Sequence, residues 1–158
     1  MAEPLRVYGY HGTTIRRAGA ALRNGFRSSR NDYDWLGDGV YFFQDAPRRA
    51  WEWATARYGA NAAVIRSVIR LEGHMELIDT GWFDHLDATY TALLELARRT
   101  NLPLPRQTAG ALRIDREVFN HTVDIFATNG IRVRAIRGVF VEGIPLFPGS
   151  AIHSRAHI

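Results

Sequence analysis

A histidine, a tyrosine and a glutamate of this 158-residue chain stand in settings where their side chains could do chemistry. His11 lies in YHGTT, at the end of a β-favouring run and beside a glycine that leaves the backbone bare. A polar side chain there can hydrogen-bond a ligand, and it can equally be structural. Tyr41 lies in GDGVYFF, where consecutive apolar residues leave both faces of a strand apolar. It is either a core aromatic or a flat ring presented to something that is not protein. Glu142 closes GVFVEG. If Val139 and Val141 face one side of a strand, Phe140 and Glu142 face the other. A carboxylate among apolar neighbours must be paired, solvated in a cleft or functional, because burying it unpaired is costly. At an edge position at a strand end it needs no such account.

Other candidates point to less. His153 and His157 would share one face of a strand, His74 stands two residues from Glu76, and His85 follows Asp84. With no cysteine and no H-E-x-x-H helix, these histidines read as surface or core residues rather than metal ligands. Glu72 and Glu76 could form a glycosidase-like carboxylate pair, but nothing in the sequence fixes their separation. GDG precedes a strand, whereas a dinucleotide fingerprint follows one and opens a helix, and no Walker A sequence is present. Gly37 and Gly39 read more simply as a bend that lets backbone approach backbone.

The elements that must position these residues follow from patterning. Residues 5–10 read as a first strand, and a threonine of HGTT can cap a helix running to about Asn24, where Gly25 stops it. A polar loop with three aspartates leads to an expected strand at 39–43. Asp45 is the expected N-cap of the next helix, which carries Pro47 in its first turn and continues to about Tyr58. NAAVIRSVIRL is a strong strand and 75–78 a short one. Residues 83–99 and 115–129 repeat apolar positions at helical spacing. TNLPLPRQTAG is a proline-bearing loop. The tail gives two or three strands broken by Pro145 and by Pro148-Gly149. Strands at both ends with helices between them predict an α+β class in one domain, residues 1–158.

Composition excludes several classes. About a quarter of the residues are charged and nearly half apolar, as in a soluble globular protein. No apolar run reaches the ~20 residues needed to span a bilayer, and no signal-peptide pattern opens the chain, so a cytoplasmic location is expected. Disulfide and thiolate chemistry are excluded. All 20 basic residues are arginine, and the net charge is +4. That balance permits a nucleic-acid partner without demanding one, and the scattered arginines argue against a membrane surface.

In order, GYHGTT, LGDGVYFFQDAPRRAWEWA and RGVFVEG resemble the His-Tyr-Glu signature of diphtheria-toxin-type ADP-ribosyltransferases. The nearest version is that of the poly(ADP-ribose) polymerase catalytic domain. The resemblance covers residues 5–58 and, more loosely, 133–158. It implies a split mixed or antiparallel β-sandwich with flanking helices, and NAD as co-substrate with no metal. It implies that His11 bonds the adenine-side ribose, that Gly12 presents its backbone to the nicotinamide carboxamide, and that Thr13 completes that motif. Tyr41 would stack on nicotinamide, and Glu142 would hold the 2′-hydroxyl of the nicotinamide ribose. Arg27, Arg30, Arg48 and Arg49 fall around the donor cleft so implied and could contact the NAD phosphates or a nucleic acid. The chain departs from the family pattern in the helix behind Tyr41. Arg49 stands where a serine is expected, and Trp51, Glu52 or Trp53 falls near an expected tyrosine, so a tryptophan such as Trp51 could supply a second stacking face.

The function so implied is an NAD-dependent transferase that mono-ADP-ribosylates a protein or nucleic acid. Architecture alone suits a bacterial toxin or defence effector, with an antitoxin or regulatory partner. The alternatives are an NAD glycohydrolase and a catalytically inactive module that binds a nucleotide or ADP-ribose.

Overall fold

The computed structural model describes residues 4–108 and 110–157. It is a mixed α+β protein with four α-helices and seven strands among the described residues. The chain divides into two compact units. One holds the described residues up to Arg27, Tyr41–Glu72 and those from Arg137 onward; the other holds Ser28–Val40 and Gly73–Ile136. Among the described residues no helix is long and apolar enough to cross a membrane.

The first unit is built on a three-stranded antiparallel sheet. β1 (Leu5–Thr14) lies between β2 (Phe43–Gln44) and β3 (Ala62–Leu71). β1 and β3 pair along their whole length, from Leu5↔Leu71 to Thr14↔Ala62. The first strand therefore runs four residues past the expected end at Tyr10, because the β-favouring partner opposite continues through Ala63 and Ala62. Only then does α1 (Ile15–Asn24) begin, with the Thr14 hydroxyl accepting from the Arg17 amide at 3.2 Å. That cap satisfies one of the amides left open at a helix start.

The strand expected at 39–43 is a correction. Only Phe43 and Gln44 join the sheet, while Gly39 makes an isolated bridge to Ser29. The cap expected at Asp45 is a second. α2 (Pro47–Tyr58) starts behind Ala46 with no side-chain cap, and Asp45 sits at φ 50°. Its amide instead donates to the Tyr8 carbonyl at 2.8 Å, tying the turn after β2 back to β1. Pro47 occupies the first turn, where its missing N–H costs no hydrogen bond.

α2 packs on β1 through two fully buried alanines, Ala50 and Ala54, four residues apart and so on one face. Their small side chains let the helix come close, and Gly12 completes the approach. A Cβ at Gly12 would lie 2.9 Å from both the Ala50 carbonyl oxygen and the Trp53 ring. The same unit carries a two-stranded antiparallel hairpin, β6 (Phe140–Pro145) with β7 (His153–His157). Val139 and Val141 are exposed while Phe140 and Glu142 are half-buried, the alternation the sequence predicts.

In the second unit, β4 (His74–Glu76) and β5 (Ala135–Arg137) form a two-stranded sheet, the chain passing into the first unit at Arg137. α3 (Phe83–Thr100) packs against α4 (Arg113–Thr128). Met75, Val118 and Phe119 are buried here. The Thr122 hydroxyl, also buried, donates to that of Thr89 at 2.9 Å, and Thr89 donates to the His85 carbonyl. The polar loop at 28–40 is pinned from within. Buried Asp34 accepts from the Ser29 hydroxyl and from the Asn31 amide at 2.6 Å.

Candidate functional site

The site begins at the end of the β1–β2 ladder. Along a central antiparallel strand, successive residues direct their N–H and C=O alternately to one neighbour and the other. The Tyr8 carbonyl accepts from Asp45 on the β2 side. Tyr10 and Gly12, two and four residues on, therefore turn their backbone groups to the same side. The ladder stops at Tyr10↔Phe43. Gly12 is thus left one step beyond it, level in register with Tyr41, on a chain segment that is not strand. Backbone N–H and C=O at such an edge form an adjacent donor and acceptor, the complement of a carboxamide. Close packing against α2 accounts independently for the glycine.

His11 bridges that same gap. Its Nδ1 lies 2.9 Å from the Tyr41 carbonyl oxygen. A carbonyl only accepts, so Nδ1 carries the proton, and in the neutral ring Nε2 becomes an acceptor. No partner holds Nε2 among the described residues. Phe26 and Phe42 fix the ring in place: their centroids stand 5.3 and 5.7 Å from that of His11, and 5.2 Å from each other. The imidazole is locked by packing, with one nitrogen engaged and one available. The Tyr41 side chain is half-buried.

Glu142 stands on β6, half-buried, and its Oε1 accepts from a terminal guanidinium nitrogen of Arg49. Arg49 rises from the first turn of α2 and lies over the Phe43 ring at 5.3 Å. Phe43 is the β2 residue paired with Tyr10, so the carboxylate is linked through Arg49 to the end of the ladder that adjoins His11 and Gly12. The Nε of Arg49 is buried and has no hydrogen-bond partner among the described residues.

The remaining sequence candidates divide. Thr13 is 4% exposed and sits on the face of β1 opposite to Gly12. Trp51 is 49% exposed on α2. Arg27 is exposed and makes no ion pair among the described residues. Two other arginines that the sequence offers as phosphate or nucleic-acid contacts are engaged elsewhere: Arg48 with Glu52 at 2.9 Å, and Arg30, in the second unit, with Asp38 at 3.2 Å. Among the described residues no three His, Asp or Glu side chains gather as a metal site, and His74 simply faces Glu76 at 3.5 Å.

Two participants escaped the sequence reading. Phe26 follows the glycine that ends α1, and an aromatic placed there could have been flagged as a lid on His11. The Arg49–Glu142 pair joins residues 93 positions apart and has no local signature. The chain matches no protein-family model, no curated protein and no solved structure with which it was compared.

Proposed function

We propose that the protein is an NAD-dependent ADP-ribosyltransferase built on the split β-sandwich of the family it resembles. The observation that carries this reading is the end of the β1–β2 ladder. There Gly12 offers an unladdered backbone pair beside Tyr41, and His11 is fixed on the Tyr41 carbonyl with Nε2 left as an acceptor. NAD supplies a glycosidic bond whose leaving group, nicotinamide, already carries positive charge.

Each residue then has a separable task. Gly12 N–H and C=O bind the carboxamide and fix the ring's orientation. Tyr41 covers one face of that ring. His11 Nε2 accepts from a hydroxyl of the adenine-side ribose, and the exposed Arg27 reaches the diphosphate. Glu142 Oε2, opposite the oxygen that Arg49 holds, accepts from the 2′-hydroxyl of the nicotinamide ribose. A fixed carboxylate there stabilises positive charge developing on the neighbouring sugar carbon. Nicotinamide departs with the bonding electron pair as a neutral molecule, and the acceptor's nucleophile forms the new bond and gives up its proton.

Incubation with labelled NAD and with protein, RNA and DNA acceptors tests the reading. Nicotinamide release is expected, with transfer of label to one acceptor, and Glu142→Gln lowers release by about 10²–10³-fold. Absence of both NAD binding and nicotinamide release sinks it. The engagement of Glu142 by Arg49 favours a second reading, a nucleotide-binding module without turnover. Calorimetric binding of NAD that leaves the dinucleotide intact over hours would select that one.

A further inference from the structure

We infer that Arg49 is a positioning residue for the Glu142 carboxylate and not a ligand of the NAD phosphates. The inference rests on the transferase reading above and adds to it the group that aims its carboxylate.

The strand that carries Glu142 is weakly anchored by its own backbone. Among the described residues β6 pairs only with β7, and their register shifts between Glu142 and Pro145. A two-stranded hairpin is marginally stable by itself and cannot hold a side chain to the tolerance that catalysis needs. The side chain is held instead by a guanidinium from the other sheet's helix. Arg49 is the better anchored of the pair, its side chain 14% exposed against 34% for Glu142. It is rooted one residue before Ala50, which is fully buried where α2 meets Gly12. Its guanidinium lies over the Phe43 ring. Helix, ring and carboxylate together fix where it points.

The geometry also separates the two oxygens of Glu142. Oε1 is bound to Arg49, and Oε2 has no partner among the side chains that are described, those up to His153. Holding one oxygen leaves the other with a defined direction, which a carboxylate at the end of three free torsions lacks. A bidentate grip on phosphate takes two neighbouring N–H groups of the fork. This one has turned a terminal nitrogen to Glu142 and buried its Nε. A lysine here keeps the charge but loses the planar fork.

Five proteins test this: wild type, Arg49→Gln, Arg49→Lys, Glu142→Gln, and the double variant Arg49→Gln with Glu142→Gln. Arg49→Gln is expected to lower kcat for nicotinamide release by about 10- to 100-fold, the usual loss when a supporting residue is removed. KM for NAD should stay within about threefold, since Arg49 itself makes no contact with NAD in this reading. Arg49→Lys recovers part of kcat. In the double variant, Arg49→Gln costs nothing further in kcat or in NAD affinity beyond Glu142→Gln alone, because the pair acts as a unit. A rise in KM at unchanged kcat, or weaker NAD binding when Arg49→Gln is added to Glu142→Gln, overturns the inference and makes Arg49 a phosphate ligand.

A urea-unfolding cycle on the same variants reads the pair without NAD. The double variant's unfolding constant should depart from the product of the single effects by at least about tenfold. Additive effects remove the pair and the inference, whether or not the protein turns NAD over. Coupling in a protein that neither binds nor cleaves NAD removes the transferase reading instead.

Discussion

The two units handle their charges in opposite ways. In the second, ionic groups are tied to one another and hold the chain together. Asp38 accepts from Arg116 at 2.6 Å and faces Arg30, its amide donates to the Asn120 side chain at 2.8 Å, and Asp32 pairs with Arg113. These bonds join the loop at 28–40 to α4. In the first, among the side chains that are described, polar capacity is left over next to the end of a short strand: Nε2 of His11, the backbone of Gly12, Oε2 of Glu142 and Nε of Arg49. Folding alone gives no reason to leave that capacity unmet, since buried polar groups without partners cost stability. The contrast locates the candidate site in the first unit and assigns the second unit's charges to structure.

Two glycines test that contrast most strongly. Gly12→Ala forces a methyl group against the Ala50 carbonyl and the Trp53 ring, both 2.9 Å from the ideal Cβ. Backbone cannot yield as a flexible side chain can, so a loss of about 3 kcal/mol is expected, the upper end for overpacking. The displaced helix carries Arg49, so nicotinamide release per folded molecule should fall as well. Gly37→Ala in the second unit meets the Asn120 side chain at 2.7 Å and imposes a residue with a Cβ at φ 88°. It should cost about 2 kcal/mol and leave turnover per folded molecule unchanged. Urea midpoints and single-turnover rates on both variants decide. Equal effects on turnover would dissolve the distinction between the units.

Much of this was legible in local pattern. The helices at α1, α2, α3 and α4 and the strand at β3 follow from periodicity and from the glycines and proline that bound them. The alternation placing Glu142 opposite Val141 was legible too. What failed was decided by partners distant in sequence. β1 extends to Thr14 because β3 lies opposite, although HGTT alone reads as a turn and cap. Tyr41 stays out of the sheet while its carbonyl faces His11, although VYFF alone reads as strand. Asp45 has the side chain of an N-cap but its backbone is claimed by Tyr8. Arg49 read as a phosphate contact because nothing local announces a carboxylate 93 residues away. His11, Gly12, Tyr41, Arg49 and Glu142 could be chosen from the sequence, whereas the pairing of Arg49 with Glu142 could not.

Acid separates the units more gently. Asp38 is held below the usual carboxylate range by its hydrogen bond to Arg116, aided by Asn120 and the charge of Arg30 against the cost of burial. Asp32 is lowered by its bond to Arg113. A depressed folded-state pKa means that the unfolded chain takes up the proton first as pH falls. Stability from these groups is therefore complete above about pH 5 and is lost progressively below about pH 4, through the folded pKa. Asp38→Asn should flatten that acid limb while lowering stability at pH 7. The check is the urea midpoint between pH 7 and pH 3 for both proteins. An unchanged slope would mean that the Asp38 cluster does not hold the second unit together.

The smallest effect is expected at the surface, where two aromatics with equal exposure make a matched pair. Trp51 in the first unit and Phe83 in the second are each 49% exposed. Exposed apolar side chains are ordinary, so neither position is informative alone. Truncating either to alanine should shift stability by no more than about 0.5 kcal/mol. They differ only if Trp51 supplies the second stacking face for nicotinamide. Trp51→Ala should then raise KM for NAD by about three- to tenfold, the range for one aromatic contact, with kcat unchanged. Phe83→Ala should move neither constant. A flat KM in Trp51→Ala leaves Tyr41 to hold the ring unaided, whereas a fall in kcat would mean that α2 itself had shifted and carried Arg49 with it. Fluorescence quenching of Trp51 by NAD, read in the wild type against Trp51→Ala, distinguishes contact from displacement.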